Sequence, residues 1–445
     1  MELGKREQSL AVATERAVLV AALLPNDGLD PHDPLGELRS LADTAGAVVC
    51  DELMQKRYKP DAKTFLGKGK IHELAEMVKF HEAEVVLFEN DLRPSQIAKI
   101  EEIVECKILD RSELILDIFA ARAKTGEARL QVELAQLQYT YPRLRAMWTH
   151  LDTITGGGIT GIGTRGPGEQ QLEVDRRIVQ RKKIQLQREI AEVQARKTRE
   201  VAARNLDHYT VGVVGYTNAG KSTLFNTVTQ GGAYADDKLF ATLSTRTRVW
   251  KLGDGDQVML SDTVGFVRNL PHHLVASFKA TLEEAVHADM LLVVLDVADP
   301  NARRCLETVS QVLDDIGATK GKRVLLLNKV DLLDNNAELL MLQSEFPEAL
   351  PISAATGVGT DKLVEVIREA SRGQNQTLNL TVPHADGKTL HFLEKRAVII
   401  ERDYGPDAVH LKVRIGQRQL NQLKSMGTQA QWEGKNAPTQ SIWGE

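Results

Sequence analysis

The chain has 445 residues, an apolar fraction of 42%, a charged fraction of 26% and a formal net charge of −5, which is ordinary for a globular protein of about two to four domains. The negative charge excludes a protein that coats nucleic acid uniformly, and three widely spaced cysteines exclude a disulfide framework or a CxxC zinc site. No apolar run is long enough to span a bilayer and no secretion signal is visible, so we expect a cytoplasmic protein, monomeric for lack of a symmetric apolar face.

The N-terminal part alternates between strand-like and helix-like patterns. Short apolar runs predict strands at 17–24, 47–54, 84–91 and 106–113. Amphipathic stretches predict helices at 35–46, 69–83 and 94–105. This βαβ order predicts a small, mostly parallel sheet with helices packed on it, which we assign to an N-terminal α/β domain at 1–120.

Residues 121–205 have the pattern of two long helices. The first has apolar residues at helical spacing, namely Leu130, Leu134, Leu137 and Tyr141. The second runs from about 171 to 205 and repeats an apolar residue every seven positions, at Leu172, Val179, Leu186 and Val193. One loop joins the two helices, so we predict a long antiparallel helical hairpin. Residues 121–210 hold 16 Lys and Arg against 10 Asp and Glu, which favours a localised anionic partner or a solvated helix surface.

The loop between these helices, residues 155–169, has seven glycines in fifteen residues. Glycine lets a backbone approach another surface closely. A flexible linker is one interpretation, but such linkers favour Ser, whereas this loop interleaves Ile, Thr and Arg165. At the tip of a basic hairpin, the loop is suited to probing RNA phosphates.

From residue 206 onward the chain returns to alternating strands and helices, which predicts a doubly wound, mostly parallel sheet. We expect strands at 211–216, 246–252, 257–262, 290–297, 323–329 and 350–353. We expect helices at 221–229, 271–287, 301–316, 336–345 and 359–371. We assign 206–372 to one domain, 373–377 to a linker, and 378–445 to a small C-terminal α/β domain with strands at 390–403 and 408–415 and a frayed tail.

The segment Gly215–Ser222 fits the P-loop pattern GxxxxGK[ST]. It follows an apolar strand and opens a helix, so its backbone N–H groups are suited to surround a β-phosphate. Lys221 is expected to reach the β- and γ-phosphates, and the Ser222 hydroxyl to bind Mg²⁺. The residues predicted to contact the nucleotide here are Gly215, Tyr216, Thr217, Asn218, Ala219, Gly220, Lys221 and Ser222.

Three further motifs follow predicted strands and select the nucleotide. DxxG is Asp262, Thr263, Val264 and Gly265, with the Gly265 amide expected at the γ-phosphate. NKxD is Asn328, Lys329, Val330 and Asp331, and a loop of Ser353, Ala354 and Ala355 is expected at the guanine oxygen. The Asp331 carboxylate accepts two N–H donors that guanine offers and adenine lacks. The motifs together predict GTP, not ATP.

The first switch segment is predicted between the P-loop and DxxG, at Phe240, Ala241, Thr242, Leu243 and Ser244. Thr242 is the candidate for the second protein ligand of Mg²⁺, engaged only when the γ-phosphate is present. We therefore assign the metal to Ser222 and Thr242, and catalysis to Lys221, Thr242 and Gly265. All five switch residues are expected to contact GTP.

The residue that orients the attacking water is not evident. Many GTPases place glutamine just after DxxG, but this chain has Phe266 there. Asn218 occupies the P-loop position where several GTPases hold K⁺, and Arg268 is either a γ-phosphate contact or a solvated side chain. We expect slow intrinsic turnover that a partner accelerates.

A longer sequence pattern is specific enough to indicate a protein family. The segment GGITGIGTRGPGEQQLEVDRR at 157–177, the P-loop just downstream of it, and FLGKGK at 65–70 resemble the HflX family of the Obg–HflX group of GTPases. The resemblance covers about residues 16–420. It implies a three-part fold, namely an N-terminal domain with a helical hairpin, a G domain and a small C-terminal domain.

This resemblance also implies partners. Members of the family bind the large ribosomal subunit when GTP is bound and act on stalled or stressed ribosomes by promoting separation of the subunits. It places the glycine-rich loop near ribosomal RNA, and the implied RNA contacts are Gly157, Gly158, Gly161, Gly163, Arg165 and Gly166.

Two other functions stay open from the residues alone. One is an RNA-remodelling NTPase with a second nucleotide site in the N-terminal domain, where Lys68-Gly69-Lys70 forms a basic turn that lacks P-loop spacing. The other is a GTP-switched regulator of a protein partner other than the ribosome.

Overall fold

Three β-sheets with helices packed on them organise the chain. The computed structural model describes residues 15–25, 29–30, 32–139, 167–229, 239–240, 245–253, 256–268, 282, 284–318, 321–333, 335–373 and 375–433. None of the helices within these ranges is both long and apolar enough to cross a membrane. The α/β multidomain class expected from the sequence is confirmed.

The helices are numbered in chain order. They are α1 Gly36–Ala45, α2 Lys68–His81, α3 Pro94–Val104, α4 Arg111–Arg122, α5 at 126–139, α6 Pro167–Asp207, α7 Lys221–Thr229, α8 Ala302–Asp315, α9 Ala337–Glu345, α10 Thr360–Gly373, α11 Gly387–Arg396 and α12 Gln417–Ser425. A short 3₁₀ helix spans Val330–Leu332.

The strands form one sheet in each of three parts of the chain. The N-terminal sheet contains β1 Arg16–Leu23, β2 Val48–Lys56, β3 Val85–Phe88 and β4 Lys107–Asp110. The central sheet contains β5 Thr210–Gly215, β6 Arg246–Gly253, β7 Asp256–Asp262, β8 Met290–Asp296, β9 Lys322–Asn328 and β10 Leu350–Pro351. The C-terminal sheet contains β11 Asn375–Pro383, β12 Val398–Tyr404, β13 Ala408–Gly416 and β14 Gln431–Glu433.

The N-terminal sheet is parallel throughout, in the order β2-β1-β3-β4. Alternate residues of β1 face different cores. Leu19 packs with residues of α1 and α4, and Val20 packs with residues of α2 and α3. Helices therefore cover both faces, which explains why almost every residue of β1 is buried and apolar.

One helix of this part was not predicted. The strand expected at 106–113 ends at Asp110, and α4 begins at the next residue. The cause is local, because the Asp110 carboxylate accepts a hydrogen bond from the Glu113 N–H at 3.0 Å and so caps the helix.

Helices α5 and α6 lie side by side in antiparallel sense. Lys182 pairs with Glu133 at 3.0 Å, and Lys197 pairs with Glu127 at 3.4 Å, so residue numbers run in opposite directions along the contact. A small apolar cluster of Leu134 with Leu186 and Ile190 lies between these ion pairs. The glycine-rich loop, up to residue 166, lies outside the described residues.

The central sheet has the order β10-β9-β8-β5-β7-β6, and only the β6–β7 pair is antiparallel. This confirms the doubly wound, mostly parallel sheet. Because parallel strands end at one edge of a sheet, residues that follow β5, β7, β8, β9 and β10 meet there.

The C-terminal sheet is antiparallel, in the order β12-β13-β11-β14. Here the sequence prediction was wrong in two details. Residues 387–396 form α11, capped by Asp386, so only the second half of the expected strand at 390–403 is a strand. Strand β11 begins at Asn375, inside the segment predicted as a linker.

Candidate nucleotide-binding site

The P-loop connects β5 to α7 in a tightly packed turn. A Cβ on Gly215 would lie 2.4 Å from the Val294 carbonyl oxygen, and one on Gly220 would lie 2.2 Å from Asn328 Nδ2. Gly220 has a φ of +93° and Asn218 a φ of +60°. Gly215 is therefore required by the close approach of the Val294 backbone, and Gly220 by its positive φ and the nearby Asn328 side chain. The turn leads directly into the start of α7.

Lys221 is buried, with 6% of its surface exposed. Its ammonium group donates a hydrogen bond to the Tyr216 carbonyl oxygen at 2.5 Å. Burial lowers the pKa of Lys221 to about 8, assisted by Lys329 and opposed by Asp262. A phosphate group beside this amine would favour its charged form and raise its pKa again.

Ser222 and Asp262 lie together at the first residues of α7 and the end of β7. The Ser222 hydroxyl donates to Asp262 Oδ2 at 2.8 Å, and Asp262 is fully buried. A hydroxyl and a carboxylate are oxygen ligands of the kind that Mg²⁺ prefers. No cluster of three or more acidic, His or Cys side chains suited to a metal occurs among the described residues.

The DxxG segment lies directly against the P-loop. Two backbone hydrogen bonds join them, from Thr217 N–H to the Phe266 carbonyl at 2.8 Å and from Phe266 N–H to the Gly215 carbonyl at 3.1 Å. A Cβ on Gly265 would lie 2.8 Å from Thr217 Cγ2 and 2.9 Å from Lys221 Nζ. Gly265 therefore has to be glycine, and it lies next to Lys221.

The NKxD motif links the P-loop to the third nucleotide loop. Asn328 is buried, its Nδ2 donates to the Ala219 carbonyl at 2.7 Å, and its Oδ1 accepts from Ala354 N–H at 2.9 Å. Lys329 pairs with Asp296 at 2.6 Å. Asp331 lies in the 3₁₀ helix with an exposed carboxylate. The structure thus gathers the predicted base-binding segments, including Val330, Ser353 and Ala355, at the edge of the sheet that carries the P-loop.

Among the predicted switch residues, Phe240 is described and has an unexpected environment. It is 2% exposed and packs edge-to-face on Phe119 of α4, with ring centroids 4.5 Å apart and an interplanar angle of 75°. Its φ is +55°. The side chain belongs to an apolar cluster shared by the N-terminal and central parts, and its contact with GTP stays a prediction.

Several predicted residues lie outside the described part of the chain. These are the switch residues Ala241, Thr242, Leu243 and Ser244, and the RNA-contact candidates Gly157, Gly158, Gly161, Gly163, Arg165 and Gly166. Their roles stay predictions. The basic turn at Lys68–Lys70 opens α2, where Lys70 pairs with Glu73 at 2.6 Å.

The sequence did not reveal a buried cluster of charges beside the P-loop. Arg111 contacts Glu37 at 2.8 Å and Glu89 at 2.9 Å, and Arg268 contacts the same carboxylates at 3.0 and 3.3 Å. Arg111 also donates to the Arg268 carbonyl at 2.9 Å. The Tyr216 hydroxyl donates to Glu37 at 2.6 Å and accepts from the Arg268 N–H at 2.7 Å.

The cluster is neutral overall and joins the N-terminal domain to the residues after DxxG. Burial disfavours the charged form of Glu37 and would by itself raise the pKa of this carboxyl. The positive charges of Arg111 and then Arg268 outweigh that effect, so the pKa of Glu37 is lowered. At Glu89 burial is the larger effect and raises the pKa despite the same arginines. The Arg268 guanidinium is thus held by carboxylates of the N-terminal domain rather than solvated. No local sequence signal connects residues this far apart.

A cavity of about 450 Å³ lies between the segment around α1 and the P-loop. Its lining includes Glu37, Arg39, Thr217, Asn218 and Arg304. Asn301, just before α8, donates to Asp30 at 2.7 Å and so ties the two walls together. The N-terminal domain therefore borders the candidate nucleotide site.

Three family models match the chain in order. They are described as GTP-binding GTPase N-terminal for residues 32–120, GTP-binding GTPase middle region for 122–204, and 50S ribosome-binding GTPase for 210–329. The last of these covers the P-loop, DxxG and the first two residues of NKxD.

Whole-length relatives are also found. The chain is 41% identical to the GTPase HflX of Escherichia coli over 406 residues, which covers 91% of this chain and 94% of that protein. It is 39% identical to the GTPase HflX of Caldanaerobacter subterraneus subsp. tengcongensis, covering 93% and 94%. A crystal structure of a GTP-binding protein from Sulfolobus solfataricus in complex with GDP is 22% identical, covers 80% of this chain and 99% of that one, and has a TM-score of 0.44.

Proposed function

This chain belongs to the HflX family of GTPases, and on that premise we propose that it hydrolyses GTP and binds the large ribosomal subunit in the GTP-bound state. The observation that carries the first part is the physical connection of the motifs, since Asn328 bonds the P-loop and Gly265 contacts Lys221. The second part is supported by the match of 210–329 to a model described as 50S ribosome-binding GTPase.

Hydrolysis would use this chain's residues mainly for positioning and charge stabilisation. The P-loop amides and Lys221 hold the phosphates and offset the charge that develops as the γ-phosphoryl group departs. Ser222, beside Asp262, would hold Mg²⁺, with Thr242 as the second protein ligand. When bound, the metal neutralises charge on the phosphate oxygens. A K⁺ ion near Asn218 is a further part of the proposal.

Guanine selection would rest on Asp331, whose exposed carboxylate is free to accept the base's two N–H donors. Asn328 would act indirectly by holding the loop of Ser353–Ala355 in place through Ala354. A base that lacked these donors would leave the carboxylate without a hydrogen-bond partner. The resulting loss of binding free energy discriminates strongly against such a base.

We expect slow turnover by the protein alone. Phe266 is 1% exposed and offers no hydrogen bond to a water molecule, while the Arg268 guanidinium is held by Glu37 and Glu89. A partner that completes the site would accelerate hydrolysis. We propose that this partner is the ribosome, and that the protein separates or rescues stalled ribosomes.

The ribosomal RNA contact would come from the glycine-rich loop at the end of the α5–α6 pair. Support comes from the helix α6, which is 41 residues long and begins at Pro167, directly after residue 166 of that loop in the sequence. Basic side chains along it, such as Lys182 and Arg188, suit an RNA surface.

Co-sedimentation with purified large subunits tests the proposal. Binding is expected with a non-hydrolysable GTP analogue and weak with GDP; equal binding with both would contradict the switch. Replacing Gly161, Gly163 and Arg165 together is expected to abolish binding while leaving GDP affinity intact. Arg303→Ala, at an exposed ion pair with Glu345, is the control for loss of a surface charge.

Subunit separation is tested on intact ribosomes by light scattering. We expect scattering to fall on addition of protein with GTP or its analogue, and no change with GDP. Binding without a fall in scattering would confine the function to ribosome association.

A further inference from the structure

The hydroxyl group of Thr217 has no evident structural role. Thr217 is the third residue of the P-loop and is 7% exposed. Its Oγ1 is buried and finds no hydrogen-bond partner within the ranges that the structure describes. Buried polar atoms in folded proteins are nearly always hydrogen-bonded, so an unpartnered hydroxyl at a functional loop requires an explanation.

The position of Thr217 relative to the phosphates follows from its neighbours. Its side chain lies against Gly265, because a Cβ placed there would be 2.8 Å from Thr217 Cγ2 and 2.9 Å from Lys221 Nζ. In P-loop GTPases the lysine holds the β- and γ-phosphates, and the Gly265 amide is expected at the γ-phosphate. Thr217 therefore lies beside the place where the γ-phosphoryl group is attacked.

Three other described side chains of the DxxG segment are unsuited to hold water. Phe266 is apolar, and Arg268 is paired with carboxylates of the N-terminal domain. The hydroxyl of Thr263 donates to the Val213 carbonyl oxygen at 2.8 Å. Thr217 contributes a hydroxyl that both donates and accepts, and its backbone is fixed by the bond to Phe266.

We propose that the Thr217 hydroxyl binds and orients the attacking water. This inference rests on the proposed GTPase function. The water oxygen forms a bond to the γ-phosphorus while the bond from that phosphorus to the β–γ bridging oxygen breaks. The bridging oxygen leaves with the electron pair on GDP, and the water proton passes to a γ-phosphate oxygen, giving GDP and inorganic phosphate. Thr217 holds the water by accepting one of its hydrogens.

Variants of matched shape separate the hydroxyl from its packing. Thr217→Val keeps the branched shape and the contact with Gly265 but removes the hydroxyl; Thr217→Ser keeps the hydroxyl. We expect Thr217→Val to slow single-turnover GTP hydrolysis about tenfold or more, since orientation of a reactant is worth large rate factors. Thr217→Ser is expected to stay within about threefold of the parent protein.

Affinity measurements exclude a role in ground-state binding. Affinities for GDP and for a non-hydrolysable GTP analogue are expected to be unchanged in Thr217→Val, and its melting temperature no lower than that of the parent. If Thr217→Val misfolds, Thr217→Ala provides the same loss of the hydroxyl.

Three results would overturn the assignment. They are parental turnover in Thr217→Val, equal slowing in Thr217→Val and Thr217→Ser, or a loss of analogue affinity that matches the loss of rate. Absence of GTP hydrolysis by the parent protein, alone and with ribosomes, would instead refute the proposed function.

Discussion

Tyr216 offers a sharp test of how the P-loop is joined to the N-terminal domain. Its hydroxyl donates to Glu37 at 2.6 Å and accepts from the Arg268 N–H at 2.7 Å. Tyr216→Phe removes one oxygen atom and keeps the ring in the apolar cluster shared by the two parts. The substitution therefore deletes one hydrogen bond across the interface, to Glu37, and one within the central domain, from Arg268, and little else.

The expected cost follows from what each bond satisfies. A hydrogen bond to a charged group contributes about 1.5–3 kcal/mol, and a buried N–H left without an acceptor costs about 1–3 kcal/mol. Arg111 and Arg268 still pair with Glu37 in the variant. We therefore expect the free energy of unfolding to fall by an amount near the lower end of the summed range, about 2–4 kcal/mol. For domains of this size that is a fall in melting temperature of roughly 5–10 °C.

Calorimetry and GDP titration measure the two expected outcomes. The melting temperature is expected to fall, while GDP affinity stays within about threefold, because P-loop contacts to phosphate are made by backbone amides. Tyr404→Phe is the matched control, since that tyrosine is 67% exposed and its hydroxyl accepts from Arg402 at the surface. A double-mutant cycle with Glu37→Gln is expected to give a coupling of about 1–2 kcal/mol.

Two outcomes would refute this reasoning. A melting temperature as little changed as that of Tyr404→Phe would show that the hydroxyl contributes nothing to the interface. A large loss of GDP affinity with unchanged stability would place the hydroxyl at the nucleotide instead.

Three further predictions concern separate parts of the molecule. Asp331→Asn is expected to weaken GDP binding at least tenfold and to improve binding of xanthosine diphosphate, since the amide no longer accepts both N–H donors of guanine; unchanged base preference in competition binding would contradict the assignment. Phe240→Ala removes a ring that is 2% exposed and is expected to cost about 3–5 kcal/mol, whereas Tyr58→Ala, at a side chain 92% exposed, is the control and should leave the melting temperature unchanged. Burial raises the pKa of Asp117 to about 6, so the folded protein binds this proton more tightly than the unfolded chain and loses stability as pH rises from about 4 to 6. Asp117→Asn is therefore expected to raise the free energy of unfolding by about 1–3 kcal/mol at pH 8 and to leave it unchanged at pH 4. Equal effects at both pH values in denaturant unfolding would refute the raised pKa of Asp117.

Much of the candidate site was predictable because phosphate binding is local chemistry. The glycines at 215, 220 and 265 are required by close contacts with atoms of Val294, Asn328 and Thr217. Ser222 and Asp262 meet because each follows a neighbouring parallel strand, and strand order in such a sheet brings these ends together. The periodicity of apolar residues also located most helices and strands. It failed at Asp110, where the side chain caps a helix and the strand ends earlier than predicted.

What the sequence alone determined is the ligand and its chemistry. GxxxxGKS, DTVG and NKVD are short and contiguous, so the atoms that bind phosphate and guanine are specified within a few residues of each other. The long resemblance around residues 157–177 identified the family on the same basis.

Only the tertiary structure decided how that site is connected to the rest of the chain. Tyr216 and Phe240 fall within segments predicted to contact nucleotide, yet their side chains pack on Glu37 and Phe119 of the N-terminal domain. Arg268 likewise binds carboxylates far away in the sequence. These contacts depend on which surfaces meet when the separate cores pack together. A charge buried by that packing needs an ion pair or hydrogen bonds with the groups that then lie next to it.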